Sequence, residues 1–120
     1  AAPLDGSAAS TVLLASRPRD EVKTLWGDGR VHTRHASVDE LEIDLEVVRR
    51  HGWAHNDAEE NEGGSAVAAP VRDAEGNVAA AISLNLADPF SRAKFDLHAR
   101  AVVAAASRIT AAIRHHAFAA

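Results

Sequence analysis

The sequence predicts a single α+β domain. Two apolar runs with strand-like character flank a short glycine-containing turn at residues 73–77, which is typical of a β-hairpin. Upstream, Ser37 and Glu40 form a capping box in front of apolar residues at helical spacing. Downstream, a long amphipathic segment runs to about His116. Helices on both sides of a hairpin indicate an α+β fold.

The composition predicts a modest domain with a core of small side chains. The chain has 120 residues, of which 47% are hydrophobic, and alanine dominates the apolar set. The formal charge of −4, the pI of about 5.9 and the lack of any Lys/Arg-rich run argue against a nucleic-acid-binding surface. The absence of cysteine excludes disulfides and thiolate chemistry. Together with the lack of a signal peptide, it suits a cytoplasmic protein.

Two short helices are predicted near the start of the chain. Ser7 can cap the first helix through its hydroxyl, and the helix continues to Ala15. Pro18 ends this segment, because the residue before a proline is held outside the helical region. The second helix covers residues 19–26, since acidic side chains in its first turn favour the helix dipole and a glycine follows it.

The capping box at Ser37 and Glu40 begins the third predicted helix. Gly52 follows its last turn in the position where a left-handed residue commonly ends a helix. Glu46 and Arg50 are spaced to pair on the outer face. The inner face carries apolar residues at i, i+4 and i+7, namely Leu41, Leu45 and Val48. A short strand at residues 53–57 then leads into an acidic turn.

The return strand of the hairpin has one bulky face and one small face. Because side chains alternate along a strand, the bulky face is predicted to contain Val78, Ala80, Ile82 and Leu84. The small face is predicted to contain Ala79, Ala81, Ser83 and Asn85. Two interpretations stay open: the small face leaves space for a small molecule, or it lets a helix pack close to the sheet. The residues alone favour the packing interpretation.

The last predicted element is a long helix that starts at residues 88–91 and ends near His116. Arginine and lysine side chains lie off its apolar stripe. The stripe is predicted to contain Phe95, Ala99, Val102, Val103, Ala106, Ile109 and Ile113. The sequence shows no internal repeat and no low-complexity linker, so residues 1–120 are interpreted as one domain.

The chemistry-bearing side chains do not predict a catalytic or metal site. His32 and His35 lie in a polar connector, and a metal would need further ligands, so a solvated loop is the better interpretation. His55 and the acidic turn at residues 57–62 do not follow the calcium-loop pattern. No Gly-x-Ser-x-Gly elbow exposes a serine. The residues therefore predict no metal, no cofactor and no enzymatic activity.

Four sequence blocks occur in an order and spacing that are typical of one bacterial family. Residues 3–15, PLDGSAASTVLLA, are similar to Pro-Leu-His-x-Thr/Ser-Ala-x-Gly-Lys-x-Leu-Leu-Ala. Residues 47–54, VVRRHGWA, are similar to Ile-Arg-x-x-Gly-Tyr-Ala. Residues 57–71 are similar to Asp-x-Glu-Glu followed by Cys-Ile-Ala-Ala-Pro-Val, and residues 76–85 to Gly-x-Val-x-Ala-Ala-Leu-Ser-Val-Ser. Together the blocks resemble the C-terminal effector-binding domain of IclR-type transcriptional regulators.

The resemblance implies a GAF-like antiparallel sheet flanked by helices, in a domain whose N-terminal part precedes this chain. It implies a sensor for a small organic acid, aliphatic or aromatic, that assembles as a homodimer or homotetramer. The sensor would modulate DNA binding by a winged helix-turn-helix domain outside this chain. The effector contacts of the family fall here on Gly6, Ser7, Asp57, Ala66, Ser83 and Asn85.

Two departures from the family pattern bear on the ligand. Ala66 stands where many members have cysteine, and Asn85 stands where they have serine, so pocket size and hydrogen-bonding groups differ. The loss of a polar side chain at Ala66 also motivates a second hypothesis, a dimerisation module of the same fold with a vestigial pocket. An enzyme built on Ser83 and Asp57 is a third, with no histidine placed to help.

Overall fold

Four helices and three strands make up the part of the chain that this computed structural model describes, which covers residues 7–56, 65–86 and 92–119. In chain order they are α1 (Ala8–Ala15), α2 (Arg19–Gly27), α3 (Val38–His51), β1 (Ala54–Asn56), β2 (Ser65–Arg72), β3 (Val78–Leu86) and α4 (Arg92–Ala119). The predicted α+β class is confirmed. None of the described helices has the length and apolar character needed to cross a membrane.

The predicted helix caps form as hydrogen bonds. The Ser7 hydroxyl accepts a bond of 3.2 Å from the Ser10 N–H at the start of α1. At the start of α3, the Ser37 hydroxyl accepts a bond of 3.2 Å from the Glu40 N–H. Gly52 ends α3 with φ of 79°, where a residue with a side chain would be strained. Local sequence therefore sets both ends of α3.

The three strands form one antiparallel sheet in the order β1-β2-β3. The loop between β2 and β3 closes on Asp73, whose N–H donates to the Asn77 carbonyl at 2.8 Å. The Asp73 carboxylate accepts the N–H groups of Glu75 and Asn77, and Gly76 adopts φ of 87°. The predicted hairpin is confirmed, with its turn stabilised by the aspartate rather than by glycine alone.

A β-bulge interrupts the predicted alternation at the start of β3. Val71 pairs with Ala80, whereas Arg72 pairs with Val78, so Ala79 is the extra residue of β3. Val78 consequently does not continue the bulky face, and the prediction for it was wrong. The alternation holds from Ala80 to the end of the strand, where the predicted polar residues lie.

The sheet separates two cores. The bulky face packs against α4, and its buried cluster contains Val67, Ala69, Val71, Ala99, Val102 and Ala106. The small face packs against α1, and its cluster contains Ala8, Val12, Ala54, Ala66 and Ala68. A third cluster joins the three N-terminal helices through Leu14, Ala15, Val22, Leu41 and Leu45. Alanine on both partners lets α1 approach the sheet closely, as the packing interpretation of the small face expects.

Three further sequence-based expectations were wrong. Ile109 is 41% exposed, because the face of α4 turned to the sheet passes through Thr110, whose hydroxyl accepts the Arg72 N–H at 3.0 Å. Glu46 pairs with Arg49 at 3.2 Å rather than with Arg50. The side chain of His35, expected in a solvated loop, is 9% exposed.

Candidate functional site

The small face of the sheet carries polar side chains among alanines. Directly opposed residues in an antiparallel ladder share a face, so the pairing register defines rows across all three strands. One row contains Ala54, Ala68 and Ser83. The next row contains Asn56, Ala66 and Asn85. Each row has an alanine on the central strand, and polar side chains flank it on β3 in both rows and on β1 in the second row.

The helix α1 lies against this face and contacts all three strands. Ala8 and Val12 are 1% and 3% exposed within the cluster that contains Ala66 and Ala68. Ser7, which caps the helix, therefore stands next to a residue that is packed on the small face. The capping bond uses the Ser10 N–H, and helix geometry leaves the N–H groups of Ala8 and Ala9 without a partner inside the helix. Such groups favour a carboxylate.

Asn56 is a polar residue on this face that the sequence-based prediction missed. Its exposure is 9%, and its Oδ1 atom has no hydrogen-bond partner among the described residues. A buried acceptor without a partner costs about 1–3 kcal/mol, so such atoms are rare unless a ligand or water satisfies them. The signal was present in the sequence, because alternation along the short strand places Asn56 on the same face as the buried Ala54.

Four of the six predicted contact residues lie in the described part of the chain. Ser7 stands at the start of α1, and Ala66, Ser83 and Asn85 lie on the small face. Ala66 is 8% exposed, whereas Ser83 and Asn85 are exposed. The other two, Gly6 and Asp57, fall outside the described residues. The side chains of both described rows are uncharged, so the recognition they offer is hydrogen bonding and shape.

An ion network anchors the other end of α1 to α3. The Arg49 guanidinium donates from Nε to the Ala15 carbonyl at 2.8 Å and from Nη1 to Glu42 Oε2 at 3.1 Å. Arg19 Nε lies 3.4 Å from the same oxygen. Burial works to lower the pKa of Arg49, but the hydrogen bonds and charges of Glu42 and Glu46 outweigh it and raise the pKa. Arg49 is therefore a permanent cation that ties α1 to α3.

The histidines form no metal site in the described residues. His35 Nε2 lies 2.5 Å from Asp44 Oδ2, and its Nδ1 lies 2.9 Å from the Thr33 hydroxyl. These contacts fasten the connector between α2 and α3 onto α3. Throughout residues 7–56, 65–86 and 92–119, no three histidine or carboxylate side chains come close enough together to hold an ion.

Comparison with known proteins identifies a family and a set of related folds. The family model described as "Bacterial transcriptional regulator IclR C-terminal" matches residues 1–111. The chain is 32% identical over 120 residues to the HTH-type transcriptional regulator KdgR of Escherichia coli (strain K12), covering 95% of this chain and 45% of that protein. It is 38% identical over 88 residues to KdgR of Dickeya chrysanthemi, covering 69% of this chain and 28% of that protein.

Solved structures show the same architecture. The C-terminal domain of E. coli KdgR superposes with a TM-score of 0.76 at 32% identity, covering 93% of this chain and 71% of that one. A putative transcriptional regulator described as IclR family superposes with a TM-score of 0.82 at 26% identity, covering 92% and 67% respectively. The chain spans less than half the length of the curated relatives it matches. Those relatives are transcriptional regulators, not enzymes, and the chain belongs to the family of IclR-type transcriptional regulator C-terminal domains.

Proposed function

We propose that this domain binds a small organic acid on the small face of its sheet and thereby regulates DNA binding. The observation that carries the proposal is the Oδ1 atom of Asn56, which has no hydrogen-bond partner within residues 7–56, 65–86 and 92–119 and lies in the same row as Ala66 and Asn85. A buried acceptor at the edge of an alanine-lined face suits a ligand that brings its own hydrogen-bond donor. Family membership supports the regulatory role.

The described groups suit the two ends of such a ligand. The start of α1 offers the N–H groups of Ala8 and Ala9 to a carboxylate, and Ser83 and Asn85 offer further donors. A hydroxyl or enol group on the same ligand would donate to Asn56 Oδ1. Ala66 on the central strand carries only a methyl group, so a ligand would meet no bulky side chain at this position. We therefore favour a hydroxy or enolisable acid, aliphatic or aromatic, over a simple monocarboxylate.

Gly6 and Asp57 complete the proposed set of contacts. They are the positions of the family's effector contacts that adjoin Ser7 and Asn56 in the chain. In this arrangement Asp57 accepts a hydrogen bond from a ligand hydroxyl, because an ionised carboxylate would repel the acid group of the ligand. The acid group is accordingly assigned to the α1 end.

Regulation follows if the ligand distinguishes two arrangements of the full-length protein. A ligand that binds one arrangement better shifts the population towards it by its difference in binding free energy. DNA contact would belong to a winged helix-turn-helix domain outside this chain, because the chain carries a formal charge of −4. The protein would act as a homodimer or homotetramer.

Calorimetric titration of the chain against hydroxy, oxo and aromatic carboxylic acids tests the proposal. At least one acid is expected to bind saturably, and the paired substitutions Asp57→Ala and Ser83→Ala are expected to weaken its binding at least tenfold. Ser107→Ala is the matched control, since this exposed serine lies on α4 and not on the small face. Binding that the paired substitutions leave unchanged, or no binding of any acid, would contradict the proposal.

A second function is favoured by one observation, the alanine at position 66. Without a polar side chain there, the face could serve only to seat α1, and the domain would be a dimerisation module with a vestigial pocket. Under this hypothesis no acid raises the thermal stability of the chain. Asn56→Leu is then expected to leave both the oligomeric state and the absence of a ligand response unchanged. Ligand-dependent protection of the chain in thermal unfolding would reject it.

A further inference from the structure

A buried carboxylate on α3 has one oxygen atom without a partner. The Glu42 side chain is 8% exposed, and its Oε2 atom accepts a hydrogen bond from Arg49 Nη1 at 3.1 Å. Its Oε1 atom has no hydrogen-bond partner within residues 7–56, 65–86 and 92–119. Buried polar atoms are nearly always hydrogen-bonded, and a carboxylate accepts on both oxygens. Oε1 therefore lacks a donor that the described residues do not supply.

Glu42 lines an open groove between α2 and α3. The groove has a volume of about 450 Å³, which lies within the range of about 300–1,000 Å³ that small-molecule sites occupy. Its wall contains two aliphatic side chains, Ile43 and Val47, which are 68% and 43% exposed. The lining also contains three basic and three acidic side chains, namely Arg19, Lys23, Arg50, Asp39, Glu42 and Glu46. The groove thus combines an aliphatic wall with charges of both signs.

The balance of charge in the lining favours a ligand that carries both charges. The basic side chains would attract a simple anion, but the acidic side chains would repel it, and a simple cation would meet the reverse. A zwitterion can place each of its charges beside the opposite one. No three histidine or carboxylate side chains among the described residues come together to hold a metal ion, so the acidic lining does not indicate a metal site.

The contact between Arg19 and Glu42 gives a ligand a place to insert. Oε1 is covered in the empty domain, so a donor reaches it only when a neighbouring side chain moves. Arg19 Nε lies 3.4 Å from Glu42 Oε2, beyond the usual N–H···O distance of about 2.7–3.2 Å, and its side chain is 62% exposed. An exposed side chain in a long contact turns away at little cost. Arg49 keeps its bond to the Ala15 carbonyl, so α1 stays anchored.

We propose that this groove binds a free amino acid with an aliphatic side chain. The α-ammonium group donates a hydrogen bond to Glu42 Oε1, and the α-carboxylate pairs with the Arg19 guanidinium. Each partner of the original ion pair keeps an opposite charge, because the ligand inserts between them. The aliphatic side chain lies along Ile43 and Val47 and removes part of their apolar surface from water. The groove lies on α2 and α3, so the proposal does not depend on an effector site on the small face.

Titration with L-leucine and three analogues tests each part of the ligand. Calorimetry is expected to show saturable binding of one L-leucine per chain. N-acetyl-L-leucine lacks the ammonium group, L-leucinamide lacks the carboxylate and glycine lacks the side chain, so each is expected to bind at least tenfold more weakly. No saturable binding of L-leucine at millimolar concentration would overturn the proposal. Equal affinity for L-leucine and any of the three analogues would overturn it as well.

Substitutions in the chain test the two charged contacts separately. Arg19→Ala is expected to weaken the binding of L-leucine at least tenfold without loss of fold, because the side chain is exposed. Arg17→Ala is the matched control, since Arg17 is an exposed arginine that does not line the groove, and an unchanged dissociation constant is expected. Glu42→Gln keeps the shape of the side chain and is expected to weaken binding to a similar extent. Arg19→Ala alone decides the test if the Glu42→Gln chain does not fold.

Chemical-shift mapping with L-leucine distinguishes this groove from the small face. The amide signals of Lys23, Glu42 and Ile43 are expected to shift with saturation, and those of Asn56 and Ala66 are expected to stay unchanged. This result would stand even if no organic acid bound the small face. Saturable shifts at Asn56 and Ala66, with none at Ile43, would place the amino acid on the small face and overturn a separate site in the groove.

Discussion

Asn56 is a residue that we expect to favour ligand binding while it lowers the stability of the empty domain. It is buried on an otherwise alanine-lined face, and its Oδ1 atom has no partner among the described residues. Folding thus removes this acceptor from water, and the described part of the chain supplies no hydrogen bond in its place. Such an acceptor lowers the free energy of unfolding of the empty domain. A ligand that brings a hydrogen-bond donor would satisfy it.

Replacing Asn56 by leucine is expected to stabilise the empty chain. The substitution keeps the approximate shape and removes the unpartnered acceptor, so the free energy of unfolding should rise by about 1 kcal/mol. The same change should remove the response to any effector acid. Urea denaturation with and without the acid measures both effects. A loss of stability in the empty chain would show that the amide is already satisfied.

Arg49 anchors the C-terminal end of α1 to α3. Its removal leaves the Glu42 carboxylate, 8% exposed, with Arg19 alone at 3.4 Å. Arg49→Ala is therefore expected to lower the free energy of unfolding by about 2–4 kcal/mol. Arg17→Ala is the control, because Arg17 and Glu21 form an exposed pair, for which about 0–1 kcal/mol is expected. Similar losses in both chains would contradict the anchoring role.

The contribution of Arg49 is expected to be independent of pH over the physiological range. Folding raises the pKa of Arg49, so the stabilisation is fully present below its ordinary pKa and is lost only in strong alkali. Denaturation curves at pH 6 and pH 8 should therefore show the same difference between Arg49→Ala and the unsubstituted chain. A difference that changes sign or vanishes between these values would contradict this assignment.

At the scale of elements, local signals predicted the helices and the hairpin well. Ser7 and Ser37 cap helices where expected, and the turn closes on Asp73. The errors arose where packing overrides local pattern. Thr110 rather than Ile109 faces the sheet because it accepts the Arg72 N–H at the end of β2. Likewise, the burial of His35 depends on contact with Asp44 of α3, which no local pattern reveals.

The end of α3 gives a test of an element boundary. Gly52 has φ of 79°, and a methyl group added there would meet no atom within 4 Å, so any cost is conformational. Gly52→Ala is expected to lower the free energy of unfolding by about 1 kcal/mol. Gly27→Ala is the control, since Gly27 also has open space but no positive φ, and it should be neutral or slightly stabilising. Equal effects would contradict the left-handed cap.

At the scale of the whole molecule, the candidate site draws on four separated elements. α1, β1, β2 and β3 each contribute to the small face, and the register brings Asn56, Ala66 and Asn85 into one row. Alternation predicted the side chains of β3, but it could not predict which residues of β1 and β2 lie opposite them. That pairing depends on strand register, so the row that joins Asn56 to Ala66 and Asn85 could not be predicted, although alternation along β1 already placed Asn56 on the same face as Ala54.

Chemical-shift mapping by nuclear magnetic resonance tests the central claim most directly. The isotopically labelled chain is titrated with a hydroxy or oxo carboxylic acid that binds it, and amide signals are followed. We expect the largest shifts at Ala8, Asn56, Ala66 and Ser83, on the small face, with Ile43 on the outer side of α3 unaffected. Shifts confined to the α4 side of the sheet, or scattered without saturation, would contradict an effector site on this face.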